Sequence, residues 1–171
     1  RSLVAAACVE GAGNLSLLVE DVPPLLDPAR EQHAAVDPEE VLAVGSALFD
    51  SGFRVLEVPL NSPRAFDSIR LLADRYATRC LIGAGTVIAV DDVARVREAG
   101  GQVIVMPHAD PAVIRAAKAQ GMVCVPGVAT PTEAFAALAA GADGLKMFPA
   151  EALPPAALKA WRAVLPKDTL V

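Results

Sequence analysis

From about residue 37 onward the chain alternates between two hydrophobic rhythms. Alanine-rich stretches with apolar residues at helical spacing end at glycine, and each leads into a short apolar run that stops near proline or glycine. Ala47-Leu48-Phe49-Asp50-Ser51-Gly52 leads into residues 55–60, and Arg97-Glu98-Ala99-Gly100-Gly101 into residues 103–107. Ala117-Lys118-Ala119-Gln120-Gly121 leads into residues 123–126, and residues 137–141 into residues 145–149. A further run, residues 81–87, falls between the first two. Short, uniformly apolar strands separated by helices predict parallel βα units covered on both faces.

The helix starts carry a second regularity. Asp37-Pro38, Ser62-Pro63, Asp110-Pro111 and Thr130-Pro131 each offer a side-chain acceptor at the N-cap and proline at the first helical position. Asp37 with Glu40 and Thr130 with Glu133 have the spacing of capping boxes. Glycine at the other end, as at Gly52, Gly100, Gly121 and Gly141, supplies a left-handed cap. Such a chain closes into a (β/α)8 barrel or winds into an open sheet. The barrel is favoured because Glu57, Thr86, Pro107, Pro126 and Lys146 all fall near strand ends, where a barrel builds its site. Gly83-Ala84-Gly85-Thr86 lacks the third glycine of a dinucleotide fingerprint and the lysine of a P-loop.

Composition narrows the class. With 171 residues, 54% hydrophobic and 20% charged, the chain can build one domain with a substantial core. It contains no run of about 18 uncharged apolar residues, as a membrane span would require. A net charge of −5 disfavours nucleic acid and anionic membrane as partners, but not a small anionic metabolite held by local groups. The basic and apolar opening, residues 1–10, only weakly mimics a secretory signal and breaks at Glu10. Cys8, Cys80 and Cys124 are too scattered for a disulfide framework or zinc cluster and read as reduced, buried thiols of a cytoplasmic protein. His33 and His108 are isolated and read as surface or loop residues, so neither a metal nor another cofactor is expected.

Lys146 interrupts the apolar run Gly144-Leu145-Lys146-Met147-Phe148-Pro149, and Glu57 interrupts Val55-Leu56-Glu57-Val58-Pro59-Leu60. Burial of a lysine favours the neutral amine, the state a Schiff-base nucleophile needs. A carboxylate within reach would shuttle the protons of carbinolamine and carbon–carbon bond chemistry. Together they describe a metal-independent aldolase. The plainer alternatives are strand-end side chains reaching water, or a structural ion pair. A phosphosugar epimerase or isomerase on the same barrel would leave such a lysine unused. Trp161 reads as packing against the barrel or a neighbouring subunit, and Arg64 and Arg70 as solvated.

Five segments also carry a resemblance: Asp37-Pro38-Glu39-Glu40 with residues 41–45; residues 52–63; Ile82-Gly83-Ala84-Gly85-Thr86-Val87; Pro126-Gly127-Val128-Ala129-Thr130-Pro131-Thr132-Glu133-Ala134; and Leu145-Lys146-Met147-Phe148-Pro149-Ala150. In order and spacing they resemble the 2-keto-3-deoxy-6-phosphogluconate and 6-phosphogalactonate aldolases over about residues 37–171. The resemblance implies Lys146 as Schiff-base lysine, Glu57 as general acid/base, and Thr86 and Pro107 at the pyruvyl end of the substrate. It also implies a homotrimer of (β/α)8 barrels acting on a phosphorylated keto-deoxy sugar acid. Asn61 matches the galactonate branch, where gluconate enzymes carry arginine. The implied reaction is cleavage of 2-dehydro-3-deoxy-6-phosphogalactonate to pyruvate and glyceraldehyde 3-phosphate, with 2-dehydro-3-deoxy-6-phosphogluconate as alternative substrate.

The resemblance stops at both ends. Residues 1–36 form an atypical segment in which residues 3–9 are the candidate for strand one and a loop follows; no arginine there matches the family's first-strand contact. Thr169-Leu170-Val171 begins what would be strand seven, so residues 37–171 are expected to give an incomplete barrel of about six βα units. The family's last two units, with their phosphate-binding glycine turns, have no counterpart, which leaves an inactive barrel remnant as the competing expectation.

Overall fold

The computed structural model describes the strand Ala6–Cys8 and residues 37–171. The elements run β1 (Ala6–Cys8), α1 (Pro38–Asp50), β2 (Val55–Pro59), α2 (Ala65–Tyr76), β3 (Leu81–Gly85), α3 (Val90–Glu98), β4 (Val103–Val105) and α4 (Pro111–Ala119). There follow β5 (Val123–Val125), β6 (Gly127–Val128), α5 (Pro131–Ala139), β7 (Lys146–Met147), a 3-10 turn (Ala150–Ala152) and α6 (Pro155–Arg162). The first five strands pair in the order β1-β2-β3-β4-β5, every pair parallel. Pro126, which has no N–H for a ladder, separates β5 from β6; β6 then pairs with β7. A parallel bridge between Gly144 and Leu170 starts the next step. Strictly sequential parallel pairing with helices between is the wall of a (β/α)8-type barrel, here incomplete among the described residues.

The alternation of side chains along each strand builds two cores. Leu56, Val58, Ile82, Ala84, Ile104, Met106 and Cys124 face the helix layer and are fully buried against residues such as Val41, Ile69, Leu72, Val96 and Ile114. Each fully buried aliphatic side chain of this size contributes about 1.5–3 kcal/mol. On the other face Val55, Val103 and Val105 pack with Leu81, Val123 and Val125 as a separate inner cluster. Trp161 of α6 is buried in the helix-side core, against the barrel. Gly45 lets α1 approach α2 closely, since a Cβ there would stand 2.5 Å from Leu72 Cδ2.

Gly52, Gly100, Gly121 and Gly141 all take positive φ, so four of the five helix-to-strand turns use a left-handed glycine, and only the turn from α2 to β3, through residues 77–80, does without one. The starts agree less uniformly. Asp110 accepts from Ala112 N at 2.7 Å, and Thr130 with Glu133 forms a complete capping box. Asp37 precedes Pro38 as expected, but its side chain makes no cap hydrogen bond, so no box forms with Glu40. Ser62-Pro63 is not the start of α2: both lie in the turn after β2, and Arg64, at φ 48°, is the N-cap. The Arg64 guanidinium reaches across to Glu39 on α1 and lowers that carboxyl from its ordinary value, chiefly by hydrogen bonding. His33 and most of the candidate first strand lie outside the described residues; of residues 3–9, Ala6–Cys8 is a strand paired with β2. His108 is exposed in the turn after β4.

Candidate active site

Glu57 stands mid-strand in β2, not near the strand end as expected, because β2 runs on through Val58 and Pro59; Leu56 and Val58 on either side are turned into the helix-side core. Alternation therefore turns Glu57 to the inner face, where it is only 6% exposed. Space for it comes from β3, whose inner-face residues are Gly83 and Gly85. A Cβ on Gly85 would overlap the Glu57 carboxylate, so the missing side chain is what accommodates the acid. Lys146 follows the same logic on β7: Leu145 and Met147 pack with the helix-side core, which leaves Lys146 on the inner face. The residue is half-buried, not enclosed as the apolar run suggests, because β7 spans two residues. Its Nζ lies 4.7 Å from the centroid of the Phe148 ring, and its N–H donates to Pro126 O at 2.9 Å.

The ladder register sets the relative height of these two groups. Glu57 is level in hydrogen-bonding with Gly83, Val103 and Val123. Lys146 is level with Gly127, four residues further along the strand line than Val123. An eight-stranded barrel of shear eight slips about one residue per strand, so four steps from β2 to β7 absorb that offset. Glu57 and Lys146 thus share the inner face of the strand wall, four strand steps apart, which in a closed barrel of that shear is one height on facing walls.

The other expected residues lie on the carboxyl rim. Thr86 directly follows β3 and is held at φ 55°, a left-handed conformation that strains a β-branched residue by about 1–2 kcal/mol. Pro107 lies two residues past β4, and a Cβ on Gly127 would stand 2.7 Å from the Pro107 carbonyl oxygen, so Pro107, Gly127 and Lys146 are successive neighbours around the rim. Asn61 is exposed in the turn after β2, with Leu60 N donating to Gly85 O at 3.0 Å beside it. Asn61 therefore sits at the mouth of the lumen and not in its wall.

This arrangement of residues has close parallels. The family model for KDPG and KHG aldolases matches residues 34–169. The chain belongs to the KDPG and KHG aldolase family. A probable 2-dehydro-3-deoxy-6-phosphogalactonate aldolase of Rhizobium meliloti (strain 1021) is 49% identical over 147 residues, covering 86% of this chain and 69% of that protein. The 2-dehydro-3-deoxy-6-phosphogalactonate aldolase of Escherichia coli (strain K12) is 47% identical over 80% of this chain and 66% of its own length. Among solved structures, a native KDPGal structure superposes with TM-score 0.77 at 47% identity, covering 79% of this chain and 66% of that one. A KDPG aldolase from Legionella pneumophila, with pyruvate captured as a covalent carbinolamine intermediate, superposes with TM-score 0.71 at 33% identity, covering 78% of this chain and 65% of that one. The chain thus spans about two-thirds of the length of these aldolases.

Hydrogen bonds hold the turns around these residues. Glu133 Oε2 accepts from Ala129 N at 2.8 Å and Thr130 N at 2.9 Å, pinning the turn from β6 to α5 on the rim. Those hydrogen bonds, that of Ala129 first, hold the Glu133 carboxyl below its ordinary value. Behind the wall, Asp143 accepts from Lys118 Nζ at 2.6 Å and from Cys124 N at 2.8 Å. Burial, and secondarily the Asp143 charge, pushes the Cys124 thiol up to about 12, so it is inert packing. Two site features escape a reading of sequence. Phe148 is the ring against Lys146, and its signal is placement two residues on along the same strand line. Gly85 is the cradle of Glu57, and the signal would be glycine at inward positions of a strand otherwise built for packing. Among the described residues no group of three potential metal ligands gathers, and no helix is long and apolar enough to cross a membrane.

Proposed function

We propose that the protein is a class I aldolase cleaving 2-dehydro-3-deoxy-6-phosphogalactonate to pyruvate and D-glyceraldehyde 3-phosphate, with residues 37–171 as the aldolase domain. The observation that supports this reading is the register, which puts Glu57 and Lys146 on the same inner face of the strand wall, four strand steps apart. The Lys146 amine attacks the C2 ketone; loss of water gives a protonated imine. Glu57 shuttles the protons of that dehydration and then, directly or through one water, takes the proton of the C4 hydroxyl. The C3–C4 bond breaks, its electron pair flows into the imine, and glyceraldehyde 3-phosphate departs. The resulting enamine is protonated at C3 and hydrolysed to pyruvate, which restores the amine.

In this reading Thr86 and Pro107 line the pyruvyl end, and Asn61 at the mouth bears on the choice of galactonate over gluconate. The names of the relatives at 47–49% identity support the galactonate substrate, whereas KHG/KDPG aldolases match at 35%. A cytoplasmic homotrimer is the assembly proposed. Pyruvate with borohydride should leave a three-carbon adduct on Lys146, seen by peptide mass spectrometry, and none in Lys146→Met. A folded sample that gives no adduct overturns the assignment.

A further inference from the structure

At the amino ends of β2 and β3, away from the carboxyl rim, Arg54, Val55, Ala77, Thr78, Arg79, Cys80 and Leu81 line an open cleft of about 360 Å³. We propose that this cleft binds a small organic anion, a carboxylate or phosphate ester on an apolar body, between the Arg54 and Arg79 guanidinium groups.

Charge is the first reason. The lining contributes two cations and no acid. Among the described residues no carboxylate pairs with Arg54, Arg75 or Arg79, whereas Arg64, Arg70 and Arg95 each have one. The guanidinium carbons of Arg54 and Arg79 stand 4.3 and 4.4 Å from the centroid of the same Phe49 ring. Arg75 and Arg79 also lie over Tyr76, which stacks on Phe49 at 5.4 Å. Ring faces attract each cation but carry no net charge, so they do not neutralise the two guanidinium groups of the cleft. A bound anion would supply the missing negative charge.

Geometry is the second. Arg54 Nη1 donates to Phe49 O at 2.9 Å and Phe53 O at 2.7 Å, which fixes the guanidinium plane and leaves Nη2 and Nε uncommitted. Stacking orients Arg79 while using none of its N–H groups. Two oriented guanidinium forks suit a planar or tetrahedral oxyanion. Val55, Ala77 and Leu81 supply an apolar floor, and the volume fits a small metabolite. The site shares no residue with the Lys146 chemistry, so it stands or falls independently of the proposed function.

The test is a backbone-amide NMR titration of the intact chain with phenyl phosphate, benzoate and inorganic phosphate. Saturable shifts are expected at Thr78, Arg79, Cys80 and Leu81, with phenyl phosphate binding more tightly than inorganic phosphate. Arg79→Gln should weaken binding about tenfold or more, and Arg79→Lys less. Thr78→Glu, which sets a carboxylate on the exposed lip without touching the stacked rings, should abolish binding even if the arginine variants perturb folding. No saturable shift at those amides, shifts confined to residues 86–110, or unchanged affinity in Thr78→Glu overturns the proposal. Equal affinity for phenyl and inorganic phosphate overturns its apolar-body component.

Discussion

Gly85→Ala is the sharpest probe of the acid in the lumen. Gly85 does not have positive φ, so alanine suits the backbone and the only conflict is spatial. The new Cβ would overlap one Glu57 carboxylate oxygen and stand 2.6 Å from Cδ and 3.1 Å from Oε1. Ordinary carbon contact begins near 3.5 Å, so the carboxyl group must retreat by more than about 1 Å. Displacing a catalytic group by that distance costs about 100-fold in rate. Overpacking adds a stability cost of about 1–3 kcal/mol, or a few degrees to about 10 °C in melting temperature for a chain of this length. The assay is the initial rate of borohydride-trapped pyruvate adduct at Lys146, measured beside a thermal melt. Gly45→Ala is the control: its Cβ presses on Leu72 between α1 and α2, so it should lower the melt but not the trapping rate. If Gly85→Ala lowers the melt and traps pyruvate at the wild-type rate, the proton-shuttle role of Glu57 is wrong.

Three further outcomes follow from the site's surroundings. Glu133→Gln should lower the melting temperature at neutral pH; because the folded carboxyl titrates below its ordinary value, its contribution is complete above the ordinary glutamate range and lost on acidification, so the two melts should converge in acid. Convergence at high pH instead would contradict the capping geometry. Asp143→Ala removes the acceptor of Cys124 N and the partner of Lys118, at a cost of about 1–2 kcal/mol and roughly 3–6 °C, checked by calorimetry. Cys124 should resist alkylation at pH 8 in the native protein and react at the rate of a free thiol once unfolded, as followed by peptide mass spectrometry.

Turns were the most legible part of this chain, because glycine and proline act through their own backbones. Gly52, Gly100, Gly121 and Gly141 need only their missing Cβ to take positive φ. Side-chain caps depend on where the acceptor swings, which is why Thr130 completes a box and Asp37 does not. Ser62-Pro63 misleads because the chain spends two more residues turning over the rim before Arg64 admits it to α2. Glu57 and Lys146 stood out as charges in apolar runs, yet their relative position depends on inter-strand register, which no local pattern encodes. The half-burial of Lys146 escaped for a related reason: β7 is two residues long, and its exposure depends on its neighbours and not on its own sequence.

The sequential strand order bears on how the molecule is made. From β2 to β5 each strand lies beside the one synthesised just before it, so none has to be inserted between two partners already joined. Growth at a single advancing edge keeps most loop closures short and lets pairing keep pace with the ribosome. The carboxylate of β2 would then be seated against β3 well before the lysine of β7 emerges, so the second half of the proposed pair is laid onto a wall that is already standing.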